Sequence, residues 1–167
     1  AEAVLARDGK APFKAPIDSI RTVAVMYTWA PMQMIMNKDF AEKHGISKLS
    51  DIAANKVPVR VLLNKRGNVA RQVGAAMLDA AGASAADIKS WGGDVVFAAS
   101  KEQGELMRDR RADVLLNSLF VNHRSIRQLA ESLDVVLVDI DSDATSTVTG
   151  EWNIGSYTIE NAAYDWS

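Results

Sequence analysis

The chain has 167 residues, 48% of them hydrophobic and 24% charged, which supplies a packed core and excludes a disordered or membrane-embedded composition. A formal net charge of -2 gives no general basic field for nucleic-acid phosphates, so no nucleic-acid partner is expected. The absence of cysteine removes disulfides, thiol nucleophiles and cysteine-held metals, and the apolar runs stop far short of the roughly 20 residues that cross a bilayer, so no direct membrane insertion is expected.

Residues 1–9 carry no basic lead ahead of an apolar stretch, so an exported form would have its secretion signal upstream of this chain. Residues 21–27 and 32–36 are short apolar runs separated by Thr28, Trp29, Ala30 and Pro31; proline interrupts a strand ladder, and the stretch reads as strand, turn, strand. Ser50, Asp51 and Ile52 suggest a helical turn. Residues 57–63 form a β-branched run that feeds the loop Asn64, Lys65, Arg66, Gly67, Asn68. Val69, Val73, Ala76, Met77 and Ala80 then recur at helical spacing, with Asn68 as N-cap and Gly82 as the stop.

Residues 85–89 make another turn, 94–97 a short strand, and 100–111 a polar helix opened by a capping Ser100 with Gln103 three residues later. Residues 113–116 read as a buried strand, 122–133 as a helix with Ile126, Leu129 and Ala130 on one face, and 135–140 as a last strand. The stretch 141–151, rich in Ser, Thr and Asp, is the most loop-like. Strands alternating with helices imply parallel neighbours joined by long crossovers, hence an open α/β sheet with flanking helices.

The loop 64–68 joins a strand to a helix, where unpaired backbone N–H groups and the positive helix end favour an anion. Lys65 and Arg66 add charge, and an arginine fork matches a carboxylate; the same residues also suit a solvated basic turn before a capped helix. With Gly67 its one glycine, the loop fits neither a phosphate loop nor a dinucleotide turn, so no nucleotide cofactor is expected. Asn117 and Ser118 end a strand just before a helix, the position from which open sheets address ligands, although turn and capping duty accounts for them equally. Tyr27, Thr28 and Trp29 end another strand and offer an apolar wall for a ligand stem or plain core packing. Met26, Met32, Met34 and Met36 suit an adaptable binding surface, while their strand periodicity favours core or lobe-interface packing. His44 and His123 have no metal-ligand spacing and read as surface residues, so no metal site is expected. No nucleophile elbow is present, and no enzymatic activity is expected.

Four segments in order resemble the TAXI family, the solute-binding proteins of TRAP-type transporters, which share the type II periplasmic-binding-protein fold. The first is Ile20-Arg21-Thr22-Val23-Ala24-Val25-Met26-Tyr27, similar to an arginine-led strand ending in an aromatic residue. Ser47-Lys48-Leu49-Ser50-Asp51-Ile52 is similar to the segment introducing the second lobe. Asn68-Val69-Ala70-Arg71 leading to Met77-Leu78-Asp79-Ala80-Ala81-Gly82, with Ala86-Asp87-Ile88 beyond, resembles the family's helix, its Ala-Gly ending and its following Asp-Ile. Arg111-Ala112-Asp113-Val114 resembles a Gly-x-x-Asp-Ala junction before a strand. The family's glycine-serine-glycine-threonine ligand loop is replaced here by residues 64–68.

The resemblance implies a two-lobed receptor that closes on a small anionic solute, a dicarboxylate or a glutamate-like amino acid, and delivers it to a TRAP-type membrane permease from the periplasm. It also implies a fragment. Residues 1–50 would be a partial first lobe with hinge-proximal strands, 51–140 a second α/β lobe, and 141–167 a return segment toward the first lobe. The competing reading is a cytoplasmic effector-sensing domain of a transcription regulator with the same fold, which an upstream helix-turn-helix would mark. A third class, a small α/β enzyme acting on a carboxylate, would require a cofactor fingerprint or turnover.

Overall fold

Strand residues alternate between two apolar layers, and that alternation builds the sheet. The computed structural model describes residues 2–10, 13–24, 29–160 and 163–166. Its strands are β1 (Met32–Asn37), β2 (Arg60–Leu63), β3 (Asp94–Phe97), β4 (Val114–Ser118) and β5 (Val135–Val138), in the order β3-β2-β4-β1-β5. The helices are α1 (Glu2–Arg7), α2 (Lys38–His44), α3 (Asp51–Ala54), α4 (Val69–Ala80), α5 (Ala85–Ser90), α6 (Ser100–Arg108), α7 (Arg124–Ala130) and α8 (Ser142–Trp152).

On one face Met34, Met36, Val61, Leu63, Val114 and Leu116 form a core with Val73, Met77 and Leu78 of α4 and Val148 of α8. On the other, Ile35, Leu62 and Leu115 pack with Met107 of α6 and with Ile126 and Leu129 of α7. β1, which precedes residue 51, lies inside this sheet, and α8, which follows residue 140, packs on α4.

The helix after residue 68 follows the sequence reading closely. Asn68 is extended, its side chain accepts the Ala70 N–H at 2.8 Å, and Gly82 turns the chain out with φ +76°. A Cβ on Gly74 would stand 2.8 Å from Leu63 Cδ2 and 3.2 Å from Met32 Cε, so glycine here lets α4 lie close on the sheet.

Five expectations change. The sheet is mixed, because β1 runs antiparallel between β4 and β5; apolar periodicity carries no strand direction, and the antiparallel ladder continues past the strand ends in bonds from Leu119 N–H to Pro31 O (3.2 Å) and from Ser118 Oγ to Ala30 O. The stretch 141–151 is helical, since Ala144 and Val148, one turn apart, bury against α4 while the Ser and Thr residues around them mask the period. Ser100 is not a cap: Ala99 occupies that position and its N–H donates to Glu102 Oε2 at 3.0 Å. Neither histidine is a plain surface residue. His123 caps α7, its Nδ1 accepting the Ser125 N–H at 3.2 Å, and the His44 ring lies 4.5 Å from that of Phe40. Residues 21–24 are irregular and exposed, Val23 to 97%, and 25–28 lie outside the described residues.

Two carboxylate clamps hold the amino and carboxyl sides of the sheet. Asp113, buried at the start of β4, accepts Arg60 N–H at 2.8 Å, Arg60 Nε at 2.9 Å and Arg60 Nη2 at 2.5 Å, which fixes β2 against β4 and holds the guanidinium charged. Asp51 accepts the N–H groups of Ser47 (2.8 Å) and Lys48 (3.0 Å), and Asp141 accepts Ser50 N–H (2.7 Å) and Oγ (2.6 Å). Partial burial opposes charge on Asp51 and Asp141, but these hydrogen bonds outweigh it and hold both below the usual carboxylate range.

Asp113→Ala is expected to cost about 1–3 kcal/mol in urea unfolding, because it takes the acceptor from the Arg60 N–H and breaks the charge-assisted bonds to the half-exposed guanidinium. Asp51 and Asp141 have folded-state pKa values below their unfolded ones, so their contribution is complete above the unfolded pKa, 3.8, and is lost as pH falls through the folded values. The thermal midpoint should therefore drop on acidification from pH 5 toward pH 3, and the double variant Asp51→Asn, Asp141→Asn should flatten that dependence.

Candidate functional site

Because β2, β3 and β4 run in parallel, their carboxyl ends share one edge of the sheet, and the antiparallel β1 begins there too. Such an edge collects loops and helix starts whose backbone N–H groups are not spent on the ladder. Here it gathers residues 64–68, 97–100, 118–123 and 29–31.

Under these loops lies a buried polar net. Strand alternation sends Asn64 and Asn117 to the face of Leu62 and Leu115, toward α6, where Ser100 and Gln103 sit three residues apart on one helix side. Asn117 Nδ2 donates to Gln103 Oε1 at 2.8 Å and to Ser100 Oγ at 3.1 Å; its Oδ1 accepts Ser118 N–H at 2.9 Å and Asn64 Nδ2 at 3.3 Å. Asn64 Nδ2 also donates to Ser100 Oγ at 3.1 Å, and its Oδ1 accepts the Lys65 N–H at 2.9 Å. Asn64, Gln103 and Asn117 are all buried, so these bonds are obligatory. Ser100 Oγ receives two amide donors, which leaves its own proton for another acceptor.

Above the net, Lys65, Arg66, Gly67 and Asn68 are exposed. Gly67 has φ +90°, a conformation that favours glycine, and Asn68 spends its side chain on capping α4. Among the described residues the Lys65 and Arg66 side chains have no acidic partner, in contrast to Arg60 and Arg110, which pair with Asp113 and Asp39. Arg71, in the first turn of α4, lies over the Phe97 ring at 4.6 Å from its centroid.

The 118–123 loop is tied from below. Gln33 Nε2 donates to Leu119 O at 2.7 Å, and the buried Tyr164 hydroxyl donates to Gln33 Oε1, with burial pushing its phenol pKa up. Ser118 Oγ donates to Ala30 O, which joins the loop to the segment carrying Trp29.

The structure thus brings Lys65, Arg66, Gly67, Asn68, Asn117 and Ser118 to one edge, while Tyr27 and Thr28 lie outside the described residues. Asn117 and Ser118 hold protein groups, ordering the edge from within. Asn64, Ser100, Gln103 and Arg71 join them; the Ser100-x-x-Gln103 spacing was visible but fits a cap as well as an inward helix face. Of two depressions, one of about 370 Å³ lined by Lys38, Ala41, Ile46 and Val136 lies away from this edge, and one of about 190 Å³ lined by Asn122, Arg127, Glu131 and Trp166 adjoins it through the 118–123 loop. Neither adjoins the loops at the carboxyl ends of β2 and β3.

The sequence matches the NMT1-like family over residues 2–167. No curated protein matches it. Among solved structures, one titled as the crystal structure of a glycine betaine/carnitine/choline ABC transporter aligns at 15% identity and a TM-score of 0.49, covering 68% of this chain. The chain spans 37% of the length of that structure.

Asn117→Ala is expected to lower stability by about 1–3 kcal/mol, because it takes the donor from the buried Gln103 Oε1 and one of the two acceptors from Asn64 Nδ2. Chemical denaturation measures this directly.

Proposed function

Because the chain belongs to the NMT1-like family, of the solute-binding type, we propose that it is part of an extracytoplasmic receptor that captures a small organic anion. On this reading the body from β1 to α8 is one lobe, and the remaining segments lead toward a second lobe that closes over the sheet edge. Closure by hinge motion lets solute binding select the closed form, which a membrane permease of the TRAP type then engages. The receptor works by capture and release and makes or breaks no bond in its solute.

The observation that carries this reading is the carboxyl-end edge. Lys65 and Arg66 stand exposed without acidic partners beside the start of α4, over a polar net that fixes the loop backbone through Lys65 N–H. Unpaired cations at a helix start attract an anion by charge and by the helix dipole together. Among the described residues no helix is long and apolar enough to cross a membrane.

In calorimetric titration of the full-length receptor with organic anions, Arg66→Ala is expected to weaken binding by about 1.5–3 kcal/mol, a loss of roughly 10- to 150-fold. Unchanged affinity takes Arg66 out of the site. Chromatographic recovery of unaltered solute after prolonged incubation checks that the protein binds without turnover.

A further inference from the structure

Exposed aromatic rings gather on the edge that carries the unpaired cations. Trp29 is 54% exposed, Phe97 49%, Tyr157 45% and Phe120 39%, whereas the other exposed large hydrophobic residues among those described, Val4, Ile17, Ile20 and Val23, are aliphatic and lie near the amino terminus. Phe97 ends β3, and Phe120 stands two residues past β4. Trp29 lies three residues before Met32, which pairs with Ser118, and its ring sits 5.3 Å from that of Tyr157 with the planes tilted by 36°.

A large aromatic side chain offers roughly 150–250 Å². Half exposure therefore leaves on the order of 100 Å² per ring in water, apolar area whose burial favours a complex. A bound molecule buries it favourably only by presenting apolar or π surface of its own. A short diacid or glutamate satisfies Lys65 and Arg66 but leaves Trp29 and Tyr157 wet. A quaternary ammonium ion suits the rings but meets Lys65, Arg66 and Arg71 as like charges. Charge and ring content together select an anion with an unsaturated body.

The spacing agrees. Neighbouring strands stand about 4.8 Å apart, so the start of β1 and the end of β2, separated by β4, are about 10 Å apart along the edge. A ring placed against Trp29 and Tyr157 directs its acid group across the end of β4, past Phe120, toward the 64–68 loop.

We propose that the solute is an aromatic acid, a small planar ring bearing a carboxylate or sulfonate, with the ring against Trp29 and Tyr157 and the anionic group toward Lys65 and Arg66. This rests on the receptor reading above and departs from a glutamate-like solute. Trp29 and Tyr157 act as specificity determinants, contributing little to the fold because both rings remain about half exposed.

The test is calorimetric titration of the full-length receptor with benzoate, benzenesulfonate and indole-3-acetate, against cyclohexanecarboxylate, succinate and glutamate. The expected result is binding of the aromatic acids at least tenfold tighter than cyclohexanecarboxylate, with Trp29→Ala and Tyr157→Ala each removing most of that preference while the thermal midpoint of the free protein stays unchanged. Succinate or glutamate binding as tightly as the aromatic acids overturns the aromatic-acid assignment, and aromatic acids binding undiminished in both variants overturns the placement of the ring on Trp29 and Tyr157; either outcome leaves an anion receptor standing. If none of the six anions binds, the receptor reading falls, and this inference with it.

Discussion

The insertion of β1 between β4 and β5 is the constraint on which the rest depends. Its register sets Met32 against Ser118 and Asn37 against Val135, so one six-residue strand joins β5 to the parallel strands. It is buried on both faces, with Met34 and Met36 in one core and Ile35 in the other. Its polar residues carry the connection outward: Asn37 donates to Ala112 O, and Gln33 ties Leu119 to Tyr164. A slip of one residue would exchange the two cores and turn Gln33 away from the 118–123 loop.

The two ends of the sheet are built differently. At the amino ends of β2 and β4, Arg60 is matched to Asp113, and Arg110 to Asp39, so charge there is internally balanced. At the carboxyl ends of β2 and β4 the buried polar side chains are amides joined by a serine hydroxyl, which satisfy one another without supplying a counter-charge. Lys65 and Arg66 stand over this neutral floor, and the exposed rings flank it. An unneutralised, aromatic-rimmed edge over a rigid floor suits a molecule that comes and goes, because binding need not break any internal ion pair. Gly74 contributes from a distance, since the close approach of α4 sets where Arg71 meets Phe97.

Much of the local architecture was legible in the chain itself. Val69, Val73, Met77 and Ala80 with Asn68 and Gly82 mark α4 to the residue, because apolar period and both end signals agree. The β-branched run ending at Leu63 and the run 135–140, whose strand ends at Val138, read as strands for similar reasons, and the loop 64–68 at the edge could be named from its position between strand and helix. The loop-like composition of 141–151 hid α8, where small residues Ala144 and Val148 do the packing that larger ones do elsewhere. Ser100 misled because a serine at a helix start caps in isolation, yet here Asn64 and Asn117, 36 and 17 residues away, compete for its oxygen.

By itself the sequence determined the helix 69–80, the strands ending at Leu63 and beginning at Val114 and Val135, the absence of cysteine chemistry and the presence of a basic strand-to-helix loop. These follow from period, capping and composition, which act over a few residues. The tertiary structure alone decided the direction of β1, the pairing of Arg60 with Asp113, the joining of Asn64, Ser100, Gln103 and Asn117 into one net, and the gathering of Trp29, Phe97, Phe120 and Tyr157 at one edge. These depend on contacts between residues far apart in the chain, where direction and pairing are settled by which buried donors and acceptors must be satisfied together.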